Sequence, residues 1–163
     1  MKAIGSHHSA HATTHEWLTP PEIITALGPF DLDPCASKVR PWPTAINHYT
    51  VDHDGLSRPW FGRVWLNPPY SSHAVRWLVK LAEHGNGIAL TFARTETIWF
   101  FGTVWDNPSA TAILFLRGRI HFHYVDGRKA EANAGAPSVL IAYGEENARI
   151  LKASGIDGKY IEL

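Results

Sequence analysis

From Trp17 onward, short apolar runs alternate with stretches whose apolar residues recur at helical spacing. "EWLTPPEIITAL" opens the pattern: Thr19 is placed to cap a helix, Pro20 suits its first turn, and Ile23, Ile24 and Leu27 share a face. Gly28 and Pro29 stop it. "FDLDPCAS" predicts a short strand ending in an acid-proline pair. In "KVRPWPTAINHYT", Pro41 and Pro43 argue against a full crossover helix. "VDHDGL" predicts a turn at Asp54-Gly55, and "GRVWL" a buried strand running into Asn67. Ser71 or Ser72 then caps a helix with Val75, Leu78, Val79 and Ala82 on one face, closed by Gly85 and Gly87. "GIALTF" is a third apolar strand, "TETIWFFGTVW" a short helix and loop, and "ATAILFL" a fourth strand. "GRIHFHYVDGR" predicts a fifth strand with a turn at Asp126-Gly127, and "PSVLIAYG" a sixth. "EENARILKAS" closes the chain as a helix, with "KYIEL" as a short edge strand. Strands alternating with helices predict an α/β sandwich with a mostly parallel sheet. The polar loop between the last two long strands suits an antiparallel hairpin at one edge.

Composition adds limits to this picture. A chain of 163 residues fits one domain, read as residues 16–163 behind a flexible arm of small and His residues at 1–15. With 45% apolar residues, a sizeable core can form. Fifteen basic residues balance fifteen acidic ones, so any nucleic-acid surface has to be a local patch. Cys35 is the single cysteine, so no intrachain disulfide forms and a reducing cytoplasm is expected. No apolar run approaches the roughly 20 residues of a membrane span, and the start lacks the apolar core of a signal peptide. His7, His11 and His15 are spaced four apart, but nothing apolar holds a helix there, so no metal is expected.

The unusual chemistry sits in "WLNPPYSSH", Trp65 to His73. Pro68 and Pro69 remove two backbone donors and fix two φ angles near −65°. Carbonyl oxygens are then left at a strand end with no amide beside them, which is either a rigid turn or a rigid acceptor site for an amino group. In open α/β sheets, ligands bind beyond the carboxyl ends of the strands. Asp33-Pro34 and Asn67-Pro68-Pro69-Tyr70 are two such ends, with Asp54 between them in sequence.

"EWLTPPEII", "FDLDPCAS", "YTVDHDGL", "RVWLNPPYS", "ARTETIWFF" and "LRGRIHF" together resemble the phage-type Dam-like DNA N6-adenine methyltransferase family, across roughly residues 16 to 144. The resemblance implies a Rossmann-like class I methyltransferase fold using S-adenosylmethionine, acting on double-stranded DNA in the cytoplasm of a bacterial or phage-infected cell. It gives the catalytic role to Asn67, Pro68, Pro69 and Tyr70. The Asn67 side-chain oxygen and the Pro68 carbonyl would accept the two hydrogens of the adenine amine, aiming its lone pair at the methyl group. Losing Asn67 would then cost roughly 3–4 kcal/mol of transition-state stabilisation. Tyr70 would stack on a flipped adenine, worth about 1–3 kcal/mol. The same resemblance points to Trp17, Thr19 and Pro20 against the methionine end of the cofactor, to Asp33, and to Asp54 near the cofactor's adenine amine. Cys35 and Ala36 stand where a Gly-rich loop is usual, so "FDLDPCAS" serves either as that loop or as the acid that grips a ribose.

Other residues carry alternatives. Cys35 beside Pro34 raises the question of a nucleophile, but amine methylation needs no covalent intermediate, and a small buried cysteine is the simpler reading. His121 and His123 would share a strand face open to solvent. Arg94, Arg117, Arg119, Arg128 and Lys129 are the candidate DNA contacts, with Lys38, Arg40, Arg58 and Arg63 flanking the site. A chain this small has little room for a separate recognition domain, so a short target is expected. Two other readings stay open: the same chemistry on cytosine N4 or a protein glutamine, and an inactive nucleic-acid-binding module. Asn rather than Ser at position 67 favours adenine over cytosine.

Overall fold

Alternating side-chain direction along strands buried on both sides divides the apolar residues between two faces of one sheet. The computed structural model describes residues 16–69 and 73–163. Its strands are β1 (Leu32–Asp33), β2 (Asn47–His48), β3 (Val64–Leu66), β4 (Gly87–Phe92), β5 (Ala110–Leu116), β6 (Ser138–Tyr143) and β7 (Gly158–Glu162). Four helices accompany them: α1 (Pro21–Leu27), α2 (Ala74–His84), α3 (Ile98–Phe100) and α4 (Glu145–Ala153). The strand order is β2-β1-β3-β4-β6-β5-β7. On one face, Trp65, Ile88, Leu90, Leu114 and Leu140 meet Ile23 and Leu27 of α1 and Leu151 of α4. On the other, Leu32, Val64, Leu66, Ala89 and Ile141 meet Leu78 and Leu81 of α2 and Phe100 of α3. The two-residue period of a strand sends neighbours to opposite layers, which explains the uninterrupted apolar runs.

The sheet is mixed rather than mostly parallel. β2, β1, β3 and β4 run parallel, whereas the β4–β6, β6–β5 and β5–β7 pairs are antiparallel. The hairpin expected at one edge does not form, because its first strand, the 118–128 segment, adds no strand to the sheet; β6 instead pairs with β5 and is inserted against β4, and β7 forms the edge. Between β1 and β2 the chain crosses without a helix, as the prolines require.

Several local expectations shift. Pro21 opens α1 and Pro20 holds its cap position with φ −52° and ψ 132°, with no side-chain cap. Thr19 is instead 2% exposed, and its carbonyl accepts a hydrogen bond from Trp42 Nε1 at 3.2 Å. α2 buries Leu78, Leu81 and Ala82, while Val79 is 40% exposed. Gly85 ends α2 at φ 70°, but Gly87 is the first residue of β4. A Cβ on Gly87 would stand 2.4 Å from the Val64 carbonyl, so that glycine serves strand approach rather than helix closure. The Ser71 and Ser72 caps and the 1–15 arm lie outside the described residues. The segment read as a fifth strand forms no strand of the sheet. His123 pairs its backbone with Leu18 (2.9 and 3.0 Å) and bridges to Lys129, around the expected Asp126-Gly127 turn.

Candidate functional site

After β1 the chain moves to β2 on one side, then returns to β3 on the other. The crevice between β1 and β3 is therefore a topological switch point, where ligands bind at the strands' carboxyl ends. Asp33 ends β1, and Asn67 follows β3 directly. Both line one cleft, together with Trp17, Thr19, Cys35, Ala36, Arg40 and Trp65 among others. The two strand ends singled out in the sequence are thus brought together.

Asn67 is half-buried, and its amide is held from one side. Its Nδ2 donates to the Trp17 carbonyl at 3.2 Å. That bond leaves Oδ1 as the free end, and Oδ1 is buried with no donor. A buried acceptor without a partner costs about 1–3 kcal/mol, which a ligand amine can recover. The Leu18–His123 backbone pair fixes the segment carrying the Trp17 carbonyl. Pro68 is buried and Pro69 half-buried, so the chain leaves β3 through a stiff, donor-free turn. Tyr70 lies outside the described residues.

Asp33 is 5% exposed. Its Oδ1 accepts the Cys35 amide at 3.0 Å, and its Oδ2 accepts the Thr44 hydroxyl. Burial pushes its carboxyl up to about 6, against the opposing pull of the Thr44 hydroxyl, the Cys35 amide and the Arg40 charge. The acid is therefore both a turn residue and a poised group in the cleft wall. Burial raises the Cys35 thiol as well, reinforced by Asp33 and Glu16, which is the opposite of nucleophile activation.

Other expected residues fall elsewhere. Pro20 is buried but not part of the cleft lining. Asp54 is exposed, has φ 49°, and caps the 3₁₀ turn Val51–His53; the cleft does not include it. Its neighbour Gly55 does touch the site's frame: a Cβ there would lie 2.1 Å from the Pro34 carbonyl. Arg63 sits at the opposite end of β3 and is structural. Its Nε donates to Asn147 Oδ1 at 2.6 Å and its Nη1 to the Pro29 carbonyl at 2.8 Å. Lys38 is paired with Asp52 at 2.7 Å. His123 is half-buried with its ring edge-on to Trp42, not simply open to solvent. Sequence reasoning missed Trp42, Thr44 and Trp65 as cleft residues. Only the alternation of Trp65 with Asn67 on one strand face signalled any of them.

β5 runs parallel to β4 through the reversed β6. Its end at Leu116 therefore lies on the same sheet edge as Phe92 and Asn67. Arg94, Arg117, Arg119, Arg128 and Lys129 all lie on segments leaving or returning to that edge. Arg117 is paired with Asp157 at 3.0 Å and Arg128 with Asp126 at 2.7 Å, both exposed.

A family model described as DNA N-6-adenine-methyltransferase (Dam) matches residues 6–155. The chain belongs to the Dam family. A Dam protein transfers a methyl group from S-adenosylmethionine to adenine N6 in DNA, so DNA is the substrate and the chain is an enzyme. The match begins at residue 6, inside the stretch read as an arm. No curated protein matches the sequence. Among the described residues no helix is long and apolar enough to cross a membrane, and no cluster of His, Cys, Asp or Glu could hold a metal. The cleft residues of this Dam protein fit a cofactor that is cationic at sulfur: an acid, a free acceptor and aromatic walls meet in one crevice.

Proposed function

We propose that this Dam protein methylates an adenine extruded from double-stranded DNA, with Asn67 Oδ1 and the Pro68 carbonyl gripping the amine. The observation that carries the proposal is the Asn67 amide: Nδ2 is tied to Trp17, and Oδ1 is buried and without a donor. Adenine N6 is paired and stacked in a duplex, so the base must leave the stack to reach a cleft. Accepting both amine hydrogens takes the nitrogen lone pair out of conjugation and stabilises the positive charge that develops on it. S-adenosylmethionine, when bound, supplies the electrophilic methyl group. Trp17, Thr19, Asp33, Cys35 and Ala36 form its side of the cleft, and Tyr70 stacks on the base.

The fold is read as a Rossmann-like class I methyltransferase sandwich, supported by the switch point at β1 and β3. The single thiol and a DNA substrate fit work in the cytoplasm. Methyl transfer from labelled cofactor to unmodified duplex DNA, followed by digestion to nucleosides, tests the reading. Label in N6-methyladenine is expected. Label in cytosine or in protein glutamine would move the grip to another amine, and no label at all would make the chain an inactive binding module.

A further inference from the structure

We propose that Trp65 Nε1 and the Arg40 guanidinium bind the α-carboxylate of the cofactor's amino-acid end. The inference rests on the cleft being the cofactor site, and it assigns two residues that the family resemblance left without a role. Trp65 is fully buried on β3, two residues before Asn67 and on the same strand face. It lines the cleft, yet its indole N–H has no acceptor. A buried tryptophan usually finds a partner for that N–H. Here the donor is held in place: the ring packs against Phe30 at 5.4 Å, and β3 is paired on both sides.

Arg40 lines the same cleft. One of its nitrogens, Nη1, donates to the Ser37 carbonyl at 2.7 Å, which anchors the side chain and leaves its other donors for a ligand. Its charge is met by no contact ion pair among the described residues. A neutral indole donor and a guanidinium in one crevice ask for an anionic acceptor. Asp33, which lines the same cleft, supplies the opposite charge. A wall with one cation, one anion and one spare donor suits a zwitterionic amino-acid group. S-adenosylmethionine carries one anionic group, its α-carboxylate, so the class of acceptor is fixed by charge.

Calorimetric titration with S-adenosylmethionine and with its decarboxylated analogue tests the assignment without reference to turnover. The analogue keeps the sulfonium, the adenosine and the amine. The wild-type chain should bind the full cofactor more tightly than the analogue. Trp65→Phe and Arg40→Met should each weaken the full cofactor by about tenfold or more, as expected for one hydrogen bond to a charged group, and leave the analogue unchanged. Equal losses for both ligands, or no loss in either variant, would overturn the proposal. If Trp65→Phe lowers the melting temperature, half-buried Arg40→Met decides alone. A wild-type chain that binds both ligands equally overturns this proposal while the cofactor cleft stands. One that binds neither overturns the cleft assignment itself.

Discussion

The Asp33 carboxyl has a pH signature that its surroundings dictate. Its pKa in the folded chain, about 6, lies above the ordinary value of 3.8, chiefly through burial. The protonated form thus favours the fold. That contribution is fully present below the ordinary value and is lost as pH rises through about 6. A ligand cation in the cleft favours the ionised form, so cofactor binding should release a proton. Cofactor affinity measured by calorimetry should accordingly rise as pH climbs through about 6, and Asp33→Asn should flatten the profile. An unchanged profile in that variant would remove Asp33 from the site. Cys35→Ala should keep most of the methyl transfer, because burial holds the thiol protonated; loss of activity with intact cofactor binding would count against a passive cysteine. At this scale the sequence was informative where a residue's chemistry is local. Asn67-Pro68 and Asp33-Pro34 announce acceptors and a turn by themselves. Beyond sharing a strand face with Asn67, Trp65 gave no sign of an unpaired donor, since its missing acceptor depends on Phe30 and on the depth of β3 in the sheet.

Among the elements, the loop after β1 depends on the 3₁₀ turn beside it. Gly55 packs its Cα against the Pro34 carbonyl so closely that a Cβ would overlap backbone at 2.1 Å. Gly55→Ala should therefore destabilise the fold by about 1–3 kcal/mol and displace the Pro34–Cys35 turn. Thermal unfolding should show a lowered midpoint, and cofactor affinity should fall with it; an unchanged midpoint would mean the turn yields freely. The "DG" pair was read as a turn, and it is one, but its role as a spacer against a segment some twenty residues earlier could not be seen from local pattern. The segment 117–137 illustrates the opposite error. Its alternating residues suggested a strand, yet His123 pairs its backbone with Leu18, whose neighbours Trp17 and Thr19 line the cleft, and with Lys129, rather than with a strand of the sheet. Helices α2 and α4 were legible because their apolar spacing and their glycine stop at Gly85 or acidic first turn at Glu145 and Glu146 are contained within each element.

For the whole molecule, charge balance constrains how DNA is held. Fifteen cations offset fifteen anions, and of the five candidate DNA contacts at the sheet's carboxyl end, Arg94, Arg119 and Lys129 have no acidic partner among the described residues. With about three phosphate contacts, the logarithm of DNA affinity should fall with the logarithm of salt at a slope of about −3. A slope twice as steep would place the DNA on some other surface. The α/β class and the meeting of the two polar strand ends in one cleft were readable from alternation and from those strand ends. The sheet's direction was not. Parallel and fully buried antiparallel strands show the same unbroken apolar runs, and nothing local tells β6 to insert between β4 and β5. If the Asn67 amide oxygen holds the amine, single-turnover methyl transfer by Asn67→Ala must show it. With cofactor affinity measured in parallel, the rate on unmodified DNA should drop about 10²–10³-fold while the cofactor still binds. A variant that methylates adenine at the wild-type rate would contradict the account.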